Sequence, residues 1–303
     1  MTSEGRASRL GLAAAVVANL TLATGPWLVR LAETGPVATG FWRLALAIPA
    51  LLVWSRIANP GALRRGIRFW PVLLVAGLAF AADLATWNVS ILSTTLANAT
   101  LFGNSATLIY PVYGFLVART WPNRPQAAAL MLAMVGGGML LGQSAELSPG
   151  HLIGDLLALF AGVAYAVYFI SMARVRAVVP PMTALGLAGA ATAVPLLILA
   201  IGLGERLVPS GAAGWAPLIA LALISQVFGQ GLIIFALGRL SPLVIGITLL
   251  LQPIVAGAIG WAAYGERPGV PDLIGAVLVA AALVLVRREP KVAPAGGQTR
   301  SVA

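Results

Sequence analysis

Long apolar runs recur along this chain, and clusters of Pro, Gly and Arg separate them. A helix needs about 20 apolar residues to cross a bilayer core, at a rise of about 1.5 Å per residue. Ten segments fit as spans, the last of them short: 10–29, 36–55, 70–91, 98–118, 125–143, 152–172, 181–203, 214–237, 243–263 and 271–286. The first follows the polar stretch MTSEGRASR, exceeds the usual apolar length of a signal peptide and lacks a clean cleavage pattern, so it reads as a retained span. The pattern predicts an all-α integral membrane protein of ten transmembrane helices. It divides into a short N-terminus (1–9), a five-helix unit (10–143), a linker (144–151), a second five-helix unit (152–288) and a polar tail rich in Pro and Gly (289–303), expected to be disordered.

Composition agrees, with 59% hydrophobic residues, 9% charged residues and a mean hydropathy of +0.94. Soluble domains carry about 25% charged residues. The net charge of +10 lies in the loops, with no soluble basic face behind it that would hold nucleic acid. Basic residues flank the spans unevenly. Arg56, Arg64, Arg65, Arg68, Arg174, Arg176 and Arg239 gather on one side with both termini, and Arg30, Arg206 and Arg267 fall on the other. Basic flanks favour the cytoplasm, so both termini are expected there, with the loops Gln143–Gly150 and Glu205–Gly214 outside a bacterial inner membrane. The absence of cysteine and the single histidine, His151, leave no thiolate or His-based metal site. The only lysine is Lys291, so a phosphate-binding loop of the G-x-x-x-x-G-K-[ST] type is excluded. No cofactor is implied. The expected partners are a small solute and the lipid bilayer, with the protein working as a monomer.

Laying the second half on the first with a shift of about 142 to 146 residues aligns Gly11 with Gly154, Pro49 with Pro195 and Pro111 with Pro253. Five helices per unit is an odd number, so the two units would lie upside down to each other around a central cavity, the plan of many secondary transporters. The segment ALGRLSPLVIGITLLLQPIVAGAIGWAAYGERPGVPDLIGAVLVAAALVLV resembles the C-terminal signature of the EamA type in the drug/metabolite transporter superfamily. TLANATLFGNSATLIYPVYGFLVART and GFWRLALAIPALLV resemble the same repeat. The resemblance implies ten helices around a cavity and export of small metabolites, and it is closest to the YddG-like exporters of aromatic amino acids. One departure is that YGERPGV keeps Glu266, whereas the first-half stretch ARTWPNRPQ has no acid.

Polar residues at membrane depth are costly and mark functional sites by default. Asp83 is the deepest acid, and Trp87, four residues on, shares its helix face. Asn88, Asn104 and Tyr110 follow in the same stretch; Tyr165 and Tyr168 form an aromatic face in the sixth span; Gln226 and Gln230 form a polar one in the eighth; Gln252 precedes Pro253; and Asn19 and Trp27 come from the first span. These twelve are the candidate substrate residues, although interhelical hydrogen bonding explains buried Asn and Gln equally well. Pro111 and Pro253 are candidate hinges or simple kinks. Trp42, Trp54, Trp70, Trp215 and Trp261 read as interfacial anchors, and Gly138 with Gly142 as a close-packing pair. Arg43 and Asp83 both lie about 11 Å from the external face and are a candidate intramembrane charge pair, serving either as a structural ion pair or as cavity charges that recognise cargo.

The sequence therefore points to a secondary transporter exporting aromatic and other large neutral amino acids by alternating access. Exchange of nucleotide sugars or phosphorylated metabolites is the alternative, but it calls for several cavity cations where only Arg43 lies at depth. A membrane enzyme lacks the paired carboxylates or metal ligands it would need.

Overall fold

A computed structural model of the chain describes residues 3–106, 149–240, 251–267 and 269–286, with single positions and short runs between 109 and 139 and between 245 and 249. Tyr110, Pro111, Gly138, Gly142 and the tail 289–303 lie outside the described residues, as does most of the linker.

Among the described residues the secondary structure is helical. Six helical segments are long and apolar enough to cross a membrane: Arg9–Leu31, Pro36–Ala58, Trp70–Ser93, His151–Arg176, Pro181–Gly202 and Ala212–Leu237. Between 44% and 56% of each span's apolar window is buried, so each keeps one face in the bundle and leaves the other to lipid. The first span is α1 (Ser3–Leu22) and α2 (Gly25–Leu31), which restarts with Pro26 in its first turn. The second is α3 (Pro36–Ala45) and α4 (Ala47–Ala58), broken at Leu46 because Pro49 has no N–H to offer the Ala45 carbonyl. After α5 (Ala62–Ile67) come α6 (Trp70–Ser93), α7 (Leu96–Gly103), α8 (Pro149–Arg176) and α9 (Pro181–Gly202). The next span joins α10 (Trp215–Ala220), a ten-residue π-helix (Leu221–Gln230) and α11 (Gly231–Leu237). α12 (Leu251–Tyr264) and α13 (Val270–Val286) fall on the ninth and tenth expected segments.

The two halves interleave. α6 packs along α8, α9 packs on α3, α4 and α6, α7 lies against α8 and α12, and α1 lies against the π-helix and α11. Two of these pairings answer each other across the halves, α6 along α8 and the π-helix with α11 along α1. Close approaches repeat it: a Cβ on Gly11 would stand 3.1 Å from Cβ of Arg239, at the end of α11, and one on Gly154 would stand 3.0 Å from Ser93 and Thr94, at the end of α6. The α6–α8 contact is aromatic, with Phe80 of α6 stacked on Tyr168 at 4.4 Å and on Tyr165 at 6.2 Å.

One end of the bundle is fastened by carboxylates. α9 and α12 each finish on a left-handed glycine, Gly204 (φ 65°) and Gly265 (φ 67°), a conformation that favours residues without a Cβ. A glutamate follows each glycine and turns onto the N-terminus of another helix. Glu205 accepts from the Val37 and Ala38 N–H groups of α3 (3.2 and 2.8 Å), and Glu266 accepts from the Leu96 N–H of α7 (2.9 Å). Helix N-termini hold anions well, because free N–H groups and the helix dipole point at them. Arg30 completes this end by pairing with Glu266 (2.5 Å) and donating to the Ile91 and Thr94 carbonyls.

Candidate functional site

α6 carries Phe80, Asp83, Leu84 and Trp87 at helical spacing, and their common face turns inward onto a small cavity of about 40 Å³. Arg43, Thr100, Gly103, Asn104, Tyr165, Gln230, Gln252 and Leu22 line the rest of it. At roughly 10–15 Å³ per water this is room for about three waters.

Asp83 is 7% exposed, and its carboxylate makes no hydrogen bond or ion pair among the described residues. Arg43 is buried, and its Nε donates to Gln226 Oε1 at 3.0 Å. The expected Arg43–Asp83 pair is therefore one of two charges on a shared cavity, with no bridge between them within 4.0 Å. A buried carboxylate without a partner is expensive to keep, so this one is poised for water, a proton or a cationic group. The amide side chains nearby are also incompletely used. Gln230 Oε1 accepts from Tyr165 Oη at 3.2 Å, while Nε2 of both Gln226 and Gln230 is buried without a partner.

A second polar chain continues from the cavity wall. Asn104 Nδ2 donates to the Leu249 carbonyl (3.3 Å) and approaches Gln252 Oε1 (3.5 Å); Gln252 Nε2 donates to Asn19 Oδ1 (2.6 Å); and Asn19 Nδ2 donates to the Ala15 carbonyl (2.7 Å) and Thr248 Oγ1 (3.1 Å). Trp87 is wedged beside Gly103, where a Cβ would stand 2.9 Å from the indole Cδ1 and Nε1. Any larger residue at 103 has to move that ring.

Of the candidate residues, Asp83, Trp87, Asn104, Tyr165, Gln230 and Gln252 line the cavity with Arg43. Gln226 reaches it through Arg43, and Asn19 through Gln252. Tyr168 is wholly buried behind the lining, stacked on Phe80. Asn88 is spent on the Pro36 carbonyl (2.8 Å), tying α6 to α3. Trp27, 38% exposed, stands outside the lining. Pro253 sits in the first turn of α12, one residue after Gln252. Leu22, Leu84, Thr100 and Gly103 are lining residues that sequence reasoning missed; Thr100 and Gly103 had a signal, since they stand four and one residues before Asn104, which caps their helix.

Further bonds hold the fastened end together. Trp42 Nε1 donates to the Leu207 carbonyl (2.6 Å) and its ring meets Trp215 edge-on at 4.8 Å, while Asp155 accepts from Thr94 Oγ1 (2.7 Å) and Asn98 Nδ2 (3.2 Å). In the exposed turn before α3, Glu33 accepts from the Ser210 N–H (2.9 Å) and hydroxyl (2.5 Å), which holds its carboxyl below the ordinary glutamate range.

Residues 152–288 match the model of the EamA-like transporter family. The match includes the segment whose sequence resembles that signature. A protein known from its crystal structure is 17% identical, with 93% of this chain and 96% of that chain covered and a TM-score of 0.67. At that identity the likeness speaks for the fold alone. Fourteen solved chains match in all, and no curated protein does.

Proposed function

We propose that this chain is a secondary transporter that exports small amphipathic solutes, aromatic and other large neutral amino acids above all, by alternating access across a bacterial inner membrane. The observation that carries this reading is that Asp83, without a bonded partner among the described residues, faces the same cavity as Arg43. A carboxylate and a guanidinium on one cavity suit a zwitterion, whose ammonium and carboxylate need opposite partners, and the rings of Phe80, Trp87 and Tyr165 suit an apolar side chain. A phosphorylated cargo would find one cation and one repelling carboxylate.

The EamA-like match of the second half supports a transporter of the drug/metabolite type. The correspondence of the α6–α8 pairing with that of α1 and α11 supports ten helices in two inverted repeats. The shift that brings Gly11 onto Gly154 also brings Leu22 onto Tyr165, Asp83 onto Gln226 and Trp87 onto Gln230. Five of those last six line the cavity and the sixth holds Arg43, which is what a cavity on the axis between two repeats requires. Both termini lie in the cytoplasm in this reading, and the fastened end faces outward. Cargo enters when helices bearing the lining separate at the basic end, with Pro111 and Pro253 as hinges.

The test is uptake into proteoliposomes across a panel of amino acids, nucleosides and phosphorylated sugars. Saturable transport of tryptophan, tyrosine or phenylalanine is expected, and transport of phosphorylated sugars alone would overturn the cargo assignment.

A further inference from the structure

Away from the central cavity, an open groove of about 350 Å³ runs along the flank of the bundle between α1, α9 and α11. Its lining is apolar throughout: Leu10, Ala13, Ala14 and Val17 at helical spacing on α1, Met182 on α9, and Leu232 and Phe235 on α11. That volume lies in the range of about 300–1,000 Å³ typical of small-ligand sites. In a bundle that spans a bilayer this flank meets acyl chains, so apolar lining alone would imply only ordinary lipid contact.

The basic mouth of the groove adds a specific feature. The Arg239 guanidinium lies 3.6 Å over the ring of Phe235, one wall of the groove, and donates to the Phe235 carbonyl at 3.2 Å. The Cβ of the same arginine packs against Gly11, next to Leu10 on the opposite wall. Arg239 therefore straddles the two helices at one end of the groove. Arg9, one turn before Ala13, is exposed on the same helix end, and Arg176 lies beside Gly238 with its own nitrogens on the Ile234 and Val179 carbonyls. Among the described residues neither Arg9 nor Arg239 has an acidic partner. A cation stacked on an aromatic ring is partly dehydrated and prepared for an anion, and an arginine fork matches a phosphate.

We propose that this groove is a site for one anionic phospholipid, with an acyl chain along α1 and α11 and the headgroup phosphate on Arg239, supported by Arg9. Charge complementarity at the mouth, joined to an apolar channel too long for a headgroup alone, selects a lipid over a free phosphate. It is separate from the transport cavity and does not depend on what that cavity carries.

Native mass spectrometry of the full-length protein titrated with phosphatidylglycerol, with phosphatidylcholine of the same chains, and with glycerol phosphate distinguishes the sources. The expected result is one saturable phosphatidylglycerol per chain, at least about five-fold tighter than phosphatidylcholine, with glycerol phosphate not retained. Arg239→Gln should abolish the preference, Arg239→Lys should keep most of it, and Ala13→Phe, which fills the groove from an exposed position, should weaken both lipids. Arg64→Gln, on a different face, should change nothing. Equal retention of the two lipids, retention of glycerol phosphate as tight as phosphatidylglycerol, or an equal loss on Arg64→Gln would overturn the site. So would oxidative cross-linking of an Ala13→Cys variant to a second copy in membranes, which would make the groove an interface between copies. The chain has no native cysteine to confuse that last result.

Discussion

At the scale of single residues, several buried polar groups tie helices together, whereas Asp83 and the Nε2 groups of Gln226 and Gln230 have no bonded partner among the described residues. Asn88, Asn19 and Ser55 are matched to the Pro36 carbonyl, Gln252 and Thr183, respectively. Such pairs contribute about 1 kcal/mol each between membrane helices. The tyrosines divide by burial. Tyr168 is 0% exposed, so Tyr168→Ala removes a packed ring and should destabilise the protein by about 3–5 kcal/mol, read as a lower Tm and poorer yield. Tyr165→Phe keeps the ring and deletes only the bond to Gln230, so it should fold normally and weaken cargo binding several-fold. The inward face of α6 was legible, because Asp83 and Trp87 stand four apart. That Asn88 turns to α3 and Trp27 to the outside was not legible, since adjacent positions on a helix differ by about 100° and the sequence does not say which neighbour fills each direction.

At the scale of elements, the six described spans begin and end within four residues of where hydropathy puts them. Pro49 accounts for the break at Leu46. The π-helix from Leu221 to Gln230 was not legible, because its winding is chosen by packing against α1 and α3 and leaves no local signature. The paired fastening was overlooked although it left a trace: Gly-Glu-Arg occurs at 204–206 and again at 265–267, each time a left-handed glycine followed by a capping glutamate. Glu266→Ala should cost about 1–2 kcal/mol of stability, and a double variant with Arg30→Ala should cost less than the two singles together, because each removes the same bridge. Unfolding measurements on the three proteins check this. The Glu33–Ser210 fastening has a defined pH sense. Its lowered native carboxyl favours the ionised form, so the contribution is present above the ordinary glutamate range and is lost as pH falls through the lowered value. NMR titration of Glu33 should show a midpoint below that of a free glutamate.

At the scale of the whole molecule, the account joins a topology, a symmetry and a cavity. Basic residues at one end and carboxylate caps at the other predict that a cysteine introduced at Arg65 is protected from an impermeant reagent in intact cells, whereas one at Gly211 is labelled. The reverse pattern would invert the map. The first-half acid Asp83 and the second-half amide Gln230 meet at one cavity, which Gln226 reaches through Arg43, and the proposed repeat would bring Asp83 onto Gln226 and Trp87 onto Gln230. The claim at the centre is that Asp83 serves the solute and not the fold. Its most direct test is uptake of an aromatic amino acid into proteoliposomes by Asp83→Asn, measured across pH beside the unmodified protein. The account predicts a variant of unchanged thermal stability whose uptake is lost or no longer responds to pH. Full uptake with an unchanged pH profile, or a loss of stability that Arg43→Gln restores together with activity, would contradict it.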